Sequence, residues 1–104
     1  MKKRAVKKTQ KRPSMRKQWT DLSRKMRERT PYCEVCRSKE HLQVHHLLSR
    51  KLYKEFALDE DNLIVLCPRH HAWGRQSAHR GIWWFVQWLE RHKPRQFKWL
   101  MDHC

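Results

Sequence analysis

Two pairs of metal-type ligands constrain the fold of this chain more than any other feature. Cys33 and Cys36 are separated by two residues, and so are Cys67 and His70. Two such pairs can reach one tetrahedral Zn²⁺, which prefers thiolate and imidazole ligands at structural sites. Disulfides are the alternative use of cysteines, but they suit a secreted chain, and the charged N-terminus lacks the apolar segment of a signal peptide. We therefore predict a structural zinc ion held by these four residues, with Cys104 as a bystander.

The composition explains why such a small chain needs a metal. Apolar residues make up 38% of the 104 residues, and the mean hydropathy is −1.06. A single small domain of this kind buries little apolar surface, so bound zinc would supply much of its folding free energy. The longest apolar block, residues 82–86, is far too short to span a membrane. We expect a cytoplasmic protein that has no membrane partner.

The charge of the chain indicates a polyanionic partner. Lys and Arg number 25 against ten acidic residues, a net charge of +15. Residues 1–30 hold 13 of these basic residues and only two acids. We predict that residues 1–13 form a disordered basic arm and that residues 14–104 form one domain. Nucleic acid is the leading partner. A ribosome-like structural role or a solubilising tail fits the charge equally well.

The hydrophobic pattern predicts a helix, two strands and three further helices. Ser14 is a suitable cap for a helix over residues 14–29, in which Trp19, Leu22 and Met26 share one face. Residues 42–46 alternate as a short strand does, and residues 63–66 have the continuous apolar pattern of a buried strand. Residues 49–58 are predicted as a short helix or an ordered loop.

The second half of the chain is predicted to be helical. Pro68 suits the first turn of a helix through residue 76. A second helix covers residues 82–91, and a third starts at Pro94. The residues predicted to face inward on these last two helices are Ile82, Phe85, Val86 and Leu89, followed by Phe97, Leu100 and Met101. The fold class is therefore a small α+β domain.

Four residues remain that the zinc ion does not require. His70 and His71 are adjacent, and the spacing from Cys67 favours His70 as the zinc ligand. His71 is then available for a second site, together with His45, His46 and Asn62. Neighbouring residues of a strand point to opposite faces, so His45 and His46 can serve different purposes.

At this point the sequence resembles the HNH nucleases, which have the ββα-metal fold. The motif is matched by residues 44–46, 61–63 and 70–71, and the two ligand pairs match the zinc knuckles that enclose the active site in many members. The resemblance covers residues 31–76, with the C-terminal helices at 82–103 outside it. The commoner knuckle has cysteine where this chain has His70, and zinc tolerates that exchange.

The resemblance implies a role for each residue of the second site. His46 would be the general base, and His45 and His71 would bind a catalytic divalent metal. Asn62 either binds that metal or braces the loop that positions the catalytic histidine, and Asp61 is a further ligand or a neighbour of one. Imidazole suits softer ions, whereas Mg²⁺ prefers oxygen, so the resemblance leaves Mg²⁺, Mn²⁺, Ni²⁺ and Zn²⁺ open.

Further predictions concern contacts with nucleic acid. Arg50, Lys51 and Arg75 are candidate phosphate ligands, although surface charge is a sufficient explanation for them. On a continuous helix His79 would share the face of Arg75 and His71, with a solvated face equally compatible. Tryptophans are more typical of the core than of base-stacking surfaces, with Trp73 and Trp84 as the candidate exceptions.

The resulting expectation is a metal-dependent endonuclease that hydrolyses DNA and leaves 5′-phosphate and 3′-hydroxyl ends. Small members of the family are often phage-encoded, which implies a role in recombination, packaging or repair in the host-cell cytoplasm. The main alternative is a zinc-stapled nucleic-acid-binding module without turnover. Substrate geometry, and whether the protein is a monomer or a homodimer, stay open.

Overall fold

A computed structural model describes residues 12–104 of the chain. In chain order it contains α1 (Met15–Arg29), β1 (Gln43–His46), β2 (Leu63–Leu66), a π-helical turn (Arg69–Trp73), α2 (Ile82–His92) and α3 (Pro94–His103). Short 3₁₀ turns at Lys54–Phe56 and Glu60–Asn62 lie between the strands. The predicted α+β class, with helices flanking a two-stranded sheet, is confirmed and agrees with a ββα-metal fold. Most of the predicted basic arm lies outside the described residues.

The two strands form an antiparallel hairpin, and helices pack against both of its faces. Val44 pairs with Val65, and His45 pairs with Ile64. All four residues of β2 are buried. On one face Leu63 and Val65 pack with Met26 of α1. On the other face Ile64 and Leu66 pack with residues of α2 and α3, among them Phe85, Leu89 and Leu100. Burial on both faces explains the continuous apolar sequence of β2.

α1 forms as the sequence predicts. Ser14 caps it, with its side chain accepting a hydrogen bond from the Lys17 backbone amide. Trp19, Leu22 and Met26 all contribute to the core beside the sheet. The C-terminal helices α2 and α3 pack against the opposite face of the sheet. Two neighbouring residues of a strand therefore contact different helices. This two-sided arrangement positions the adjacent histidines of β1.

The helix predicted over residues 68–76 is wrong in length. It ends at Trp73 as a π-helical turn, closed by a bond from the Gly74 amide to the Arg69 carbonyl at 2.8 Å. The chain is extended at Gly74, where a Cβ would lie 2.9 Å from that same carbonyl oxygen. Glycine therefore permits a close approach that ends the helix and turns the chain back.

Two residues predicted to face inward are exposed. Ile82 is the first residue of α2 and is 67% exposed, because the buried stripe of that helix begins only at Phe85. Met101 is 46% exposed, because its neighbour Leu100 occupies the inward position and consecutive helical residues point in different directions. Between residues 49 and 58 only the 3₁₀ turn is regular. Among the described helices, none has the length and apolar character needed to cross a bilayer.

Candidate metal centres

The four predicted zinc ligands converge in space. The ligand atoms of Cys33, Cys36, Cys67 and His70 all lie within 4.8 Å of one another. The two sulfur atoms of Cys36 and Cys67 are 3.7 Å apart, and His70 Nδ1 lies 3.5 Å from the sulfur of Cys67. Three thiols and one imidazole are the donor set of a structural zinc site. The cluster fits a zinc knuckle.

A tight turn brings the first cysteine pair together. The Cys33 amide donates to the Ser38 carbonyl, and the Arg37 amide donates to the Cys33 carbonyl, both at 2.8 Å. Arg37 has a φ of 70°, in the left-handed region that costs a residue with a side chain roughly 1 to 2 kcal/mol. Burial opposes ionisation of Cys33, but backbone amides of Cys36, Cys67 and Val35 outweigh it and lower the pKa of that thiol. These amides therefore favour the thiolate form of Cys33, the form that a metal requires.

Glu34 joins this turn to the sheet. Its amide donates to the Val65 carbonyl, and its carboxylate accepts a bond from the Val65 amide, both at 2.9 Å. The same carboxylate forms an ion pair with Lys93, at 2.5 Å, between α2 and α3. Glu34 thus satisfies the open edge of β2 and fixes the knuckle against it.

A second cluster contains three imidazoles. Ligand nitrogens of His45, His71 and His79 also lie within 4.8 Å of one another. The Nε2 atoms of His71 and His79 are 3.2 Å apart. The His45 ring lies edge-on to both other rings, at centroid distances of 5.0 and 4.9 Å, and packs against Phe85 of α2. We call these three residues the histidine triad.

The end of the π-helical turn explains how His79 reaches the triad. After Gly74 the chain returns, and the amides of Ala78 and His79 donate to the carbonyls of His70 and His71, at 2.9 and 3.0 Å. The sequence placed His79 near His71 through a continuous helix, but the helix stops first. The sequence pattern predicts only a phosphate contact for His79, because its approach to the two other imidazoles depends on this reversal of the chain.

The orientation of His71 is set by a side chain of β1. His71 Nδ1 donates to Gln43 Oε1 at 2.5 Å, since an amide oxygen can only accept. Nε2 then carries the lone pair and faces His79. A hydrogen bond to the distal nitrogen is the usual way in which a metal-binding histidine is held in one tautomer.

Two members of the triad, His45 and His71, have lowered pKa values that favour their uncharged forms. Burial lowers the pKa of His45 to about 3, with further contributions from His71, His79 and His46. Burial also lowers the pKa of His71, and His79 lowers it further. A metal ion requires neutral imidazoles with free lone pairs. The donor set therefore fits a divalent transition metal.

His46 points to the other face of the hairpin. Its Nε2 donates to the Ala57 carbonyl at 3.0 Å, which leaves Nδ1 as the acceptor. The ring lies 4.6 Å from the Trp19 ring of α1. Burial lowers the pKa of His46, the bond to Ala57 raises it, and the charge of Arg50 lowers it. His46 is therefore uncharged at neutral pH and able to accept a proton.

Asn62 is fully buried and its amide is fully engaged. Its oxygen accepts from the Leu48 amide at 2.6 Å. Its nitrogen donates to the carbonyls of Leu48 and Phe56, at 3.1 and 3.0 Å. Of the two roles left open by the sequence, this geometry favours the brace, because the amide oxygen is already bonded to the Leu48 amide. Asp61 forms an ion pair with Arg95 and is not part of the triad.

The candidate phosphate ligands lie on different surfaces. Arg50 is exposed near His46, with its guanidinium 5.5 Å from the centre of the Trp19 ring. Lys51 is exposed in the loop after β1, and Arg75 is exposed beyond the π-helical turn. Trp73 is 77% exposed, whereas Trp84 packs against the core, and Trp83, which the sequence did not single out, is 75% exposed.

Part of the chain is similar to a known protein family. Residues 33–72 match the family model described as HNH endonuclease. This confirms the resemblance. The matched HNH segment contains both strands, the zinc-type cluster and two members of the triad, while His79 lies seven residues beyond it. Neither a curated protein nor a solved structure matches the chain.

Proposed function

We propose that this protein is a metal-dependent endonuclease that hydrolyses phosphodiester bonds of DNA and leaves 5′-phosphate and 3′-hydroxyl ends. The observation that carries the proposal is the convergence of the three imidazoles of the triad in a chain that contains an HNH segment. A binding module stapled by zinc has no need for a second cluster of metal-type ligands. The phage functions of recombination, packaging or repair remain compatible with this activity.

In this proposal His45, His71 and His79 hold the catalytic metal. Three imidazole nitrogens favour Zn²⁺, Ni²⁺ or Mn²⁺ over Mg²⁺ as the ion bound there. When bound, the metal would neutralise charge on the scissile phosphate and on the leaving 3′ oxygen. Gln43 orients His71, and Asn62 braces the loop after β1. Cys33, Cys36, Cys67 and His70 would hold the structural zinc ion.

His46 is assigned as the general base. Its Nε2 proton is committed to the Ala57 carbonyl, so Nδ1 accepts the proton of the attacking water. The lowered pKa keeps Nδ1 unprotonated at neutral pH. Arg50, Lys51 and Arg75 would contact DNA phosphates, and residues 1–13 would add affinity without sequence preference. The remainder, residues 14–104, is proposed as a single nuclease domain.

The test compares nicking of supercoiled plasmid across concentrations of Mn²⁺, Ni²⁺, Zn²⁺ and Mg²⁺. His46→Ala should lose a factor of about 10² to 10⁴ in rate at every metal concentration, because it removes the proton acceptor. His45→Ala should need more metal and recover part of its activity in excess. His92→Ala, which removes an exposed histidine outside both clusters, is the control and should retain full activity.

Two results would contradict the proposal. Full activity in both His45→Ala and His46→Ala would assign the cleavage to other residues or to a contaminant. Absence of cleavage by the zinc-loaded parent protein with every metal and DNA form would favour the binding module.

A further inference from the structure

A cleft beside His46 is not explained by hydrolysis alone. It encloses about 540 Å³ between α1 and the loop that follows β1. This is within the range of small-ligand sites, about 300 to 1,000 Å³. Its walls are apolar, formed by Met15, Trp19, Ala57 and Leu58, and His46 lies among them. An open apolar cleft is unexpected in a chain with so few apolar residues.

Positive charge surrounds this cleft. Arg16, Arg50 and Lys54 all line it and all three are exposed. No acidic residue is among the described residues that line it. Apolar walls with three cations at the edge complement a ligand that has a flat apolar part and a flanking negative charge. A nucleotide within a DNA strand has both.

Planar groups inside the cleft add a second feature. The Trp19 ring lies 4.6 Å from the imidazole of His46 and 5.5 Å from the guanidinium carbon of Arg50. Aromatic rings and guanidinium planes are the surfaces on which proteins stack unpaired bases. The interior of a duplex hides those base faces, and extruding a base costs a few kcal/mol in unpairing and unstacking.

We propose that the cleft binds one unpaired nucleobase against Trp19, and that the substrate is therefore DNA that is single-stranded or locally unpaired at the site of cutting. The position of this base next to the cut rests on the proposed function, through His46. The binding of the base does not, because Trp19 and the three cations would hold it without turnover.

The first measurement is the affinity of the full-length, zinc-loaded protein for a fluorescent single strand and for the matching duplex, without a second metal. We expect the single strand to bind more tightly. Trp19→Ala should weaken single-strand binding by roughly tenfold and leave duplex binding nearly unchanged, because stacking on an aromatic side chain is typically worth about 1 to 3 kcal/mol per base.

Trp19 also packs against the core, so Trp19→Ala changes folding stability as well as the cleft. A second variant therefore tests the cleft without removing a core residue. Met15→Glu introduces a negative charge at an exposed cleft residue in the first turn of α1, where an acid favours the helix. The matched control is Met101→Glu, which adds the same charge at a similarly exposed methionine of α3. Met15→Glu should reduce the preference for single strands, and Met101→Glu should not.

The second measurement locates the base directly. A strand containing 5-iododeoxyuridine is irradiated in complex with the protein, and the adduct is mapped by mass spectrometry. We expect it on the tryptic peptide of residues 18–24, which contains Trp19. Adducts only at Trp73 or Trp83, or equal affinity for single strand and duplex, would overturn the proposal. If the expected adduct and preference occur without cleavage by any metal, the base site is supported and only the nuclease function fails.

Discussion

The brace formed by Asn62 permits a quantitative prediction. Asn62→Ala removes the partner of two buried groups, the Leu48 amide and the Leu48 carbonyl, and of one part-buried group, the Phe56 carbonyl. Each hydrogen bond is worth about 1 kcal/mol net, and a buried group left without a partner costs more. The free energy of unfolding should therefore fall by about 3 kcal/mol. For a domain of this size that lowers the Tm by roughly 12 to 24 °C.

The assay is thermal unfolding of zinc-loaded protein, followed by circular dichroism, without a second metal. Asn62→Asp keeps the size of the side chain, but sets a carboxylate oxygen against two carbonyls, and it should be destabilised at least as much. Gln76→Ala removes an exposed amide and is the control for loss of the functional group alone. A Tm of Asn62→Ala equal to that of the parent protein would refute the brace. A normal Tm combined with weakened binding of Mn²⁺ or Ni²⁺ would restore Asn62 as a ligand.

Three further predictions address the turns and the clusters. Chelation of zinc should abolish both the cooperative melting transition and binding of a second metal, as measured by calorimetry and elemental analysis; retention of the full transition would refute the knuckle. Gly81→Ala should destabilise the protein by about 1 to 3 kcal/mol in urea unfolding, because the new Cβ would lie 2.1 Å from the Arg75 carbonyl oxygen. An unchanged free energy of unfolding would show that the backbone of this turn can shift without cost. Without a second metal, the free energy of unfolding should fall as the pH drops from about 6.5 toward 3, because His45 of the unfolded chain binds a proton that the folded residue, with a pKa of about 3, does not. His45→Gln should show a shallower decline with pH. An identical slope in the variant and the parent would assign the effect to other groups.

The features that the sequence predicted correctly are those encoded within short segments. The ligand spacing of the knuckle, the cap at Ser14 and the apolar sequence of β2 each depend on neighbouring residues, and the structure contains all three. The opposite orientation of His45 and His46 follows from strand geometry alone. Local rules were sufficient for these features, although they gave the wrong orientation for Ile82 and Met101.

The features that were missed depend on contacts between distant residues. The orientation of the Asn62 side chain is set by Leu48, fourteen positions away, so no pattern of neighbouring residues predicts that orientation. The membership of His79 in the triad requires the chain to reverse after Gly74, which a helical pattern from Pro68 conceals. The cleft beside Trp19 exists because α1 packs across the loop after β1, so its shape could not be derived from either segment by itself.

The two metal-type clusters are coupled through one turn of backbone. Cys67 and His70 belong to the knuckle, whereas the next residue, His71, belongs to the triad and donates its amide to the Cys67 carbonyl at 2.9 Å. The carbonyls of His70 and His71 in turn accept the amides that hold Ala78 and His79. Ligation of zinc by Cys67 and His70 would fix this π-helical turn, and with it two of the three imidazoles of the triad. In a core this small, we therefore expect zinc binding by the knuckle to be required for the geometry of the second site as well as for folding.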